Sequence, residues 1–281
     1  MLLSLDSAVS ALDTFQQQMN VVGNNIANVN TVGYKQASTA FEDAFSQTLG
    51  STGSGPEQVG TGVLLSGITS NFSQGSITST GVATDMAINQ NGFFIVKDPS
   101  TGSEYATRDG EFTVDSNGYL INSNGMRVQG YTDAGLTTLG DIQINNTGAT
   151  MTDTAGATVP DTSAVQSYSF SSNGTLSVTL ADGTTFTRGQ ILLQNFTDPN
   201  QLSKVGNNLY SNLNSAGPLA TPTAPTTGGL GSIVTGSLEM SNVDLAGQLT
   251  SLITTQRAYE ANTKVITTGD EILQDLVGLV R

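Results

Sequence analysis

The sequence predicts an α+β fold in which an antiparallel β-rich central domain is inserted between long N- and C-terminal helices of coiled-coil type that pair with each other. Three observations predict it. An apolar three-four repeat opens the chain, a second one closes it, and between them lie short apolar runs punctuated by Asn-Gly and Asp-Gly dipeptides. The expected partition is a terminal helical domain of residues 1–30 with 240–281, a connecting segment 31–75, and a β-rich outer domain 76–239.

The first repeat runs through Leu5, Ala8, Leu12, Phe15, Met19, Val22 and Ile26, a heptad seam without proline whose first glycine is Gly23. The spacing predicts a helix over 3–28. After it, Asn24, Asn25, Asn28 and Asn30 can bind backbone groups, and Gly33 permits positive φ, so a defined bend is expected. At the other end Ser241-Asn-Val-Asp244 resembles a capping box with a short acid in place of Glu. Leu245, Leu249, Leu252, Tyr259, Ile266, Leu273, Val277 and Val280 follow at three-four spacing, with Gln256, Thr263 and Asp270 expected between them. At about 1.5 Å per residue such a helix spans roughly 57 Å, more than a compact domain of this size requires, so it should reach neighbouring molecules.

Between the helices, turn dipeptides at Asn91-Gly92, Asp109-Gly110, Asn117-Gly118, Asn124-Gly125, Asn173-Gly174 and Asp182-Gly183 bracket runs such as Phe93-Phe-Ile-Val96 and Thr175-Leu-Ser-Val-Thr-Leu180. Residues 50–61, 147–163 and 216–231 read as loops because Gly, Ser, Thr and Pro dominate them.

Composition removes most chemistry. The chain has no His, Cys or Trp, so imidazole bases, thiolate nucleophiles and the usual zinc, haem and iron-sulfur ligands are missing, and no cofactor or metal is expected. With 9 Lys+Arg against 23 Asp+Glu, a net charge of −14, a polyanionic partner such as nucleic acid finds no basic footprint. Membrane insertion is not expected, since no apolar run is long enough to span a bilayer. The opening residues lack the cationic region of a secretory leader. Asp109 with Glu111, or Asp115, could be imagined as a hydrolase pair, and Asp115-Ser-Asn-Gly as a calcium loop. Both Asp109 and Asp115 already sit in turn dipeptides, and a turn is the better reading. A secreted β-rich adhesin is the other alternative, but it would not need two terminal seams.

Two segments carry a resemblance. Asn24-Asn-Ile-Ala-Asn-Val-Asn-Thr-Val-Gly33-Tyr-Lys35 resembles the N-terminal signature of the bacterial flagellar rod and hook proteins, and Gln256-Arg-Ala-Tyr-Glu-Ala-Asn262 with Val265-Ile-Thr-Thr-Gly-Asp-Glu-Ile272 resembles their C-terminal one. The likeness continues through Asp85–Val96 and Tyr105–Leu120. Asn24, Asn25, Ala27, Asn28, Thr31, Gly33, Lys35, Gln256, Arg257 and Tyr259 are the signature positions. The resemblance implies a non-enzymatic axial subunit of the flagellum, in hook or basal body, exported by the flagellar type III apparatus without a cleaved signal. It would polymerise helically with itself and contact adjacent axial proteins. The assembly seam would be Leu5, Leu12, Phe15, Met19, Val22 and Ile26 with Leu245, Leu249, Leu252, Tyr259, Ile266 and Leu273. Ala27–Lys35, Phe41–Leu49, Gly125–Tyr131 and Asp141–Ile144 look more like the hook branch, and the short 50–61 loop falls where a rod protein is expected to carry a longer stiffening segment. The length of 281 residues is nearer the distal rod branch. The expectation is a short hook protein forming a flexible torque-transmitting joint, with the distal rod second.

Overall fold

In the computed structural model, which describes residues 2–52, 55–147, 150–152, 158–160, 163–219 and 221–279, the chain forms two compact units. The first is drawn from Met1–Val29, Lys35–Phe72 and Val243–Arg281, the second from Asn30–Tyr34 and Ser73–Asn242. The fold is α+β, with antiparallel strands and a helix at each end of the sequence.

The first unit holds helix α1 (Leu2–Ala27), strands β1 (Ala37–Asp43), β2 (Ser46–Thr52), β3 (Gly55–Gly60) and β4 (Val63–Ser70), and helix α2 (Leu245–Leu279). α1 ends where the Asn28 amide is shared between the carbonyls of Asn24 (3.1 Å) and Asn25 (3.2 Å) and the Val29 amide binds Ile26 O, the tightened last turn of a frayed helix. α2 starts three residues later than a Ser241 cap would place it. Asp244 is the N-cap: its Oδ1 accepts from the Ala246 amide at 3.1 Å and its carbonyl from the Gln248 amide at 2.9 Å, because a short acid reaches its own first-turn donors. Along α2 the hydroxyls of Thr250, Thr254, Thr255, Thr263, Thr267 and Thr268 donate to carbonyls three or four residues back, so this threonine-rich helix satisfies its own polar groups.

β1 pairs with β4 antiparallel from Ala37↔Ser70 to Asp43↔Val63, and β2 continues the ribbon against β3 from Ser46↔Gly60 to Thr52↔Gly55. The 50–61 stretch, expected as a loop, therefore lies largely in paired strands. Its Gly, Ser and Thr composition hides the ladder, which is made by backbone groups, and a two-stranded ribbon needs no apolar alternation to close it.

In the second unit the main sheet runs in the order Val165–Phe170, Thr175–Leu180, Thr185–Ile191, Arg127–Tyr131, Phe93–Lys97, Glu104–Thr107, Leu209–Ser211, Ser203–Gly206, each pair antiparallel. One face of Thr175–Leu180 alternates as the period of two demands, with Leu176, Val178 and Leu180 fully buried. They join Met86, Ile88, Phe94, Phe112, Leu120 and Ile191 in one core, where the Phe94 and Phe112 rings meet edge-on at 5.2 Å. Asn117-Gly118, Asn124-Gly125, Asn173-Gly174 and Asp182-Gly183 do turn hairpins. Asn91-Gly92 and Asp109-Gly110 do not: the strands they separate pair elsewhere, because such a dipeptide permits a tight turn without fixing which strands meet. Within 147–163, expected as a loop, Thr150–Thr152 pairs with Thr158–Pro160; residues 148–149, 153–157 and 161–162 of that expectation lie outside the described residues.

Candidate assembly site on the helical unit

The seam of α1 faces two partners where the sequence foresaw one. Ala8 and Val22 are buried, and Leu5, Leu12, Phe15, Met19 and Ile26 are half-buried. α2 covers part of this face, with Leu5 lying against Gly269 at one end and Asn25 bonded to Gln248 at the other, so the helices run antiparallel. The β1–β4 ribbon covers the rest. The Phe15 ring meets Phe41 edge-on with centroids 6.5 Å apart. The Val63 amide donates to Ser10 Oγ at 3.4 Å. The ribbon comes so close at Gly62 (φ 129°) that an added Cβ would collide with Ser10 Oγ.

On α2, Leu252, Tyr259, Ile266 and Leu273 are half-buried. Between them Gln248 and Thr255 are buried and Gly269 half-buried, whereas the expected Gln256 and Asp270 are exposed; Thr263 is half-buried, as is Asn262 before it. The sequence fixes the seven-residue repeat through its large apolar members. The intermediate step of three or four is set by Gln, Thr, Asn and Gly, which carry little apolar signal. Leu245 and Leu249 are exposed, Leu249 because it sits one residue past the inward Gln248 and Leu245 because it opens the first turn.

Asn25 is the structural centre of this face, 1% exposed. Its Oδ1 accepts from the Ala37 amide at 3.0 Å and its Nδ2 donates to the Ala37 carbonyl at 2.8 Å, so the side chain acts as a strand partner to the first residue of β1. Nδ2 also donates to Gln248 Oε1 at 3.1 Å. One neutral amide thus ties α1, α2 and the ribbon together, fixing register where apolar packing alone would slide. The sequence singled out Asn25 as a helix-end residue binding local backbone. Its actual partners are tertiary, and Gln248, Ala37 and Phe41 were missed. A single buried amide at the head of an apolar helix was the available signal for Gln248.

The other signature residues divide by position. Asn28 Nδ2 donates to Asn24 O and Oδ1, both at 2.9 Å, in the local role foreseen. Ala27 is exposed, Thr31 half-buried and Lys35 fully buried. Gly33 belongs to the second unit, where its φ of 68° and a position 2.7 Å from Asp109 N for any Cβ both require glycine. Gln256 is exposed, and Arg257 pairs with Glu260 at 2.9 Å on open surface, a contact that contributes little.

Burial raises the Asp109 carboxyl to about 6, against the stabilising bond from the Glu111 amide. Glu111 beside it is exposed, while the amide of Asn117 holds Asp115 below the ordinary carboxylate range. The cavity of about 290 Å³ among Ile95, Phe196, Leu213 and Pro222 is lined by none of these three, so they share no cleft there. Among the described residues no group of three or more carboxylates is placed to hold a metal ion, and no helix is long and apolar enough to cross a membrane.

Large apolar side chains stay uncovered on this unit: Leu249, Ile253, Val265, Ile272 and Val277 on α2, and Leu64, Ile68 and the 87% exposed Phe45 on or beside the ribbon. Packed on both sides by its own unit, α1 contributes Val9 to this surface. Apolar area of this kind can be buried against other chains.

Residues 5–35 match the family described as flagella basal body rod protein, 87–178 the flagellar hook protein FlgE/F/G D1 domain, and 234–279 the flagellar basal body rod FlgEFG protein C-terminal. The chain is 37% identical to the flagellar basal-body rod protein FlgG of Bacillus subtilis, over 100% of both chains. It is 32% identical to that of Borreliella burgdorferi over 97% of each. To the flagellar hook protein FlgE of Escherichia coli it is 27% identical, across an alignment of 412 residues that spans 99% of this chain.

Proposed function

We propose, from the premise that the chain belongs to the flagellar rod and hook protein family, that it is the distal rod subunit of the basal body. It is a structural axial protein of the bacterial flagellum and not an enzyme. The hook branch, expected from motif likeness and a short 50–61 loop, gives way to the rod branch on two findings. Rod relatives align end to end at similar length, whereas the hook relative requires an alignment of 412 residues. The supposed loop is a continuation of a paired ribbon, which is stiffer than a free connection.

The observation that carries the assembly reading is the set of exposed large apolar side chains on α2 and the ribbon. At roughly 25 cal/mol per Å² of apolar area removed from water, their burial against neighbours supplies the polymer's stability. Contacts of one patch with a different patch on the next copy, repeated without closure, give a helical tube. In that tube α1 and α2 pair as a coiled coil along the expected seam, and Leu245 and Leu249 face neighbouring subunits. Adjacent axial proteins are the other partners, reached after export through the flagellar type III apparatus. Immuno-electron microscopy of purified hook-basal bodies tests the reading: label on the straight distal rod supports it, and label confined to the curved hook returns the chain to the hook branch.

A further inference from the structure

Apart from the helical unit, the most unusual group is a buried ion pair in the second unit. Arg108 and Glu239 side chains are 3% and 0% exposed, with Nη1 donating to Oε2 at 3.2 Å, and the guanidinium lies 5.0 Å above the Phe93 ring. Glu239 Oε1 accepts from the Gly75 amide at 2.9 Å, and the Glu239 carbonyl from the Gly33 amide at 2.8 Å. Next along the chain, the Met240 amide donates to Ser76 O at 2.8 Å and Asn242 Nδ2 to Ser73 O at 3.0 Å.

These partners share a position in the topology. The chain passes between its two units at 29/30, 34/35, 72/73 and 242/243. All the segments of the second unit that adjoin those passages, 30–34, 73–76 and 239–242, are bonded to Glu239 or to the residues just after it. A buried ion pair is on average no more stabilising than an apolar replacement, and Arg108 Nε has no hydrogen-bond partner, so net stability does not account for the pair. Its geometry accounts for it as a fixture.

We propose that Glu239 is the residue that positions the chain crossings of the second unit, its carboxylate holding Gly75 and its carbonyl Gly33. Arg108 acts through it, fixing the carboxylate by charge while Phe93 holds the guanidinium flat. Tension entering the unit along any of its connecting segments then arrives at one residue. The assignment goes beyond the rod reading and does not depend on it, since a hook subunit with the same fold would carry the same fixture.

Amide hydrogen exchange on the full chain tests this. In the double variant Glu239→Leu with Arg108→Met, both charges of this ion pair leave together. The Gly33 and Gly75 amides should exchange at least tenfold faster, while those of Phe94–Val96 and Leu176–Leu180 change less than threefold. In Glu239→Gln with Arg108→Met the acceptor for Gly75 is restored, and Gly75 should return to within threefold of the unaltered chain. Unchanged exchange at both glycines overturns the proposal, as does equal acceleration in the reference strands or a glutamine variant that fails to protect Gly75.

Discussion

Replacing Asn25 by alanine removes at least three hydrogen bonds at once, two to the backbone of Ala37 and one to Gln248 among them. Each intramolecular bond contributes about 1 kcal/mol net, so the helical unit should lose about 3 kcal/mol, roughly a 150-fold rise in the population in which β1 has left α1. The site is 1% exposed, so water cannot replace the lost partners without opening the packing, and the figure is a lower bound. Amide exchange at Ala37 in the full-length subunit reads the change directly, with the amides of Leu176–Leu180 in the second unit as an unaffected reference. Asn25→Asp sharpens the test, because the added oxygen would face the Ala37 carbonyl. A buried carboxyl there has its folded pKa raised, so stability lost at pH 7 should return as pH falls toward 4. An Asn25→Ala chain whose Ala37 amide exchanges at the original rate would refute the three-way tie.

Further outcomes are expected. Leu12→Asp and Leu252→Asp, at positions of the expected seam that are half-buried, should abolish tube formation in sedimentation while the second unit keeps its β circular dichroism; tubes from either variant would remove the seam assignment. Gly33→Ala should destabilise the second unit by at least 2 kcal/mol, roughly 1 from its positive φ and the rest from displacing the Asp109 backbone, as read by urea unfolding. Burial holds the Asp109 carboxyl near 6, with the neighbouring charges of Glu111 and Asp85 adding to the rise. The folded state therefore binds the proton more tightly than the unfolded one. That contribution is complete below about 4 and fades as pH climbs to about 6, and Asp109→Asn should flatten the melting-temperature profile across that window. Tubes grown from the purified protein should be straight under the electron microscope, and a regular curvature would count against the rod.

How much was legible follows from which forces make each element. The two helices were readable because Leu5 to Ile26 and Leu252 to Leu273 repeat large apolar residues at helical spacing. The hairpins at Asn117-Gly118, Asn124-Gly125, Asn173-Gly174 and Asp182-Gly183 were readable because positive φ restricts the residues allowed there. The β2–β3 ribbon was not, since backbone ladders leave no compositional trace when both faces are polar or small. The inward phase of α2 was lost for a related reason: Gln248, Thr255 and Gly269 face inward without being apolar. Asn25 was picked out by its residue type, but its partners lie 12 and 223 residues away, beyond any local pattern.

The helical unit is discontinuous, closed by the last segment of the sequence, whereas the β unit is complete by Asn242. On a ribosome, or emerging from a narrow conduit, the β unit can therefore mature while the other remains open. A chain that stops before α2 would present a folded β unit beside an α1 whose Asn25 has no Gln248 to bond. Closure of the helical unit thus waits on α2, which follows the whole of the β unit in the sequence, so the order of the chain sets the order in which the two units can be completed.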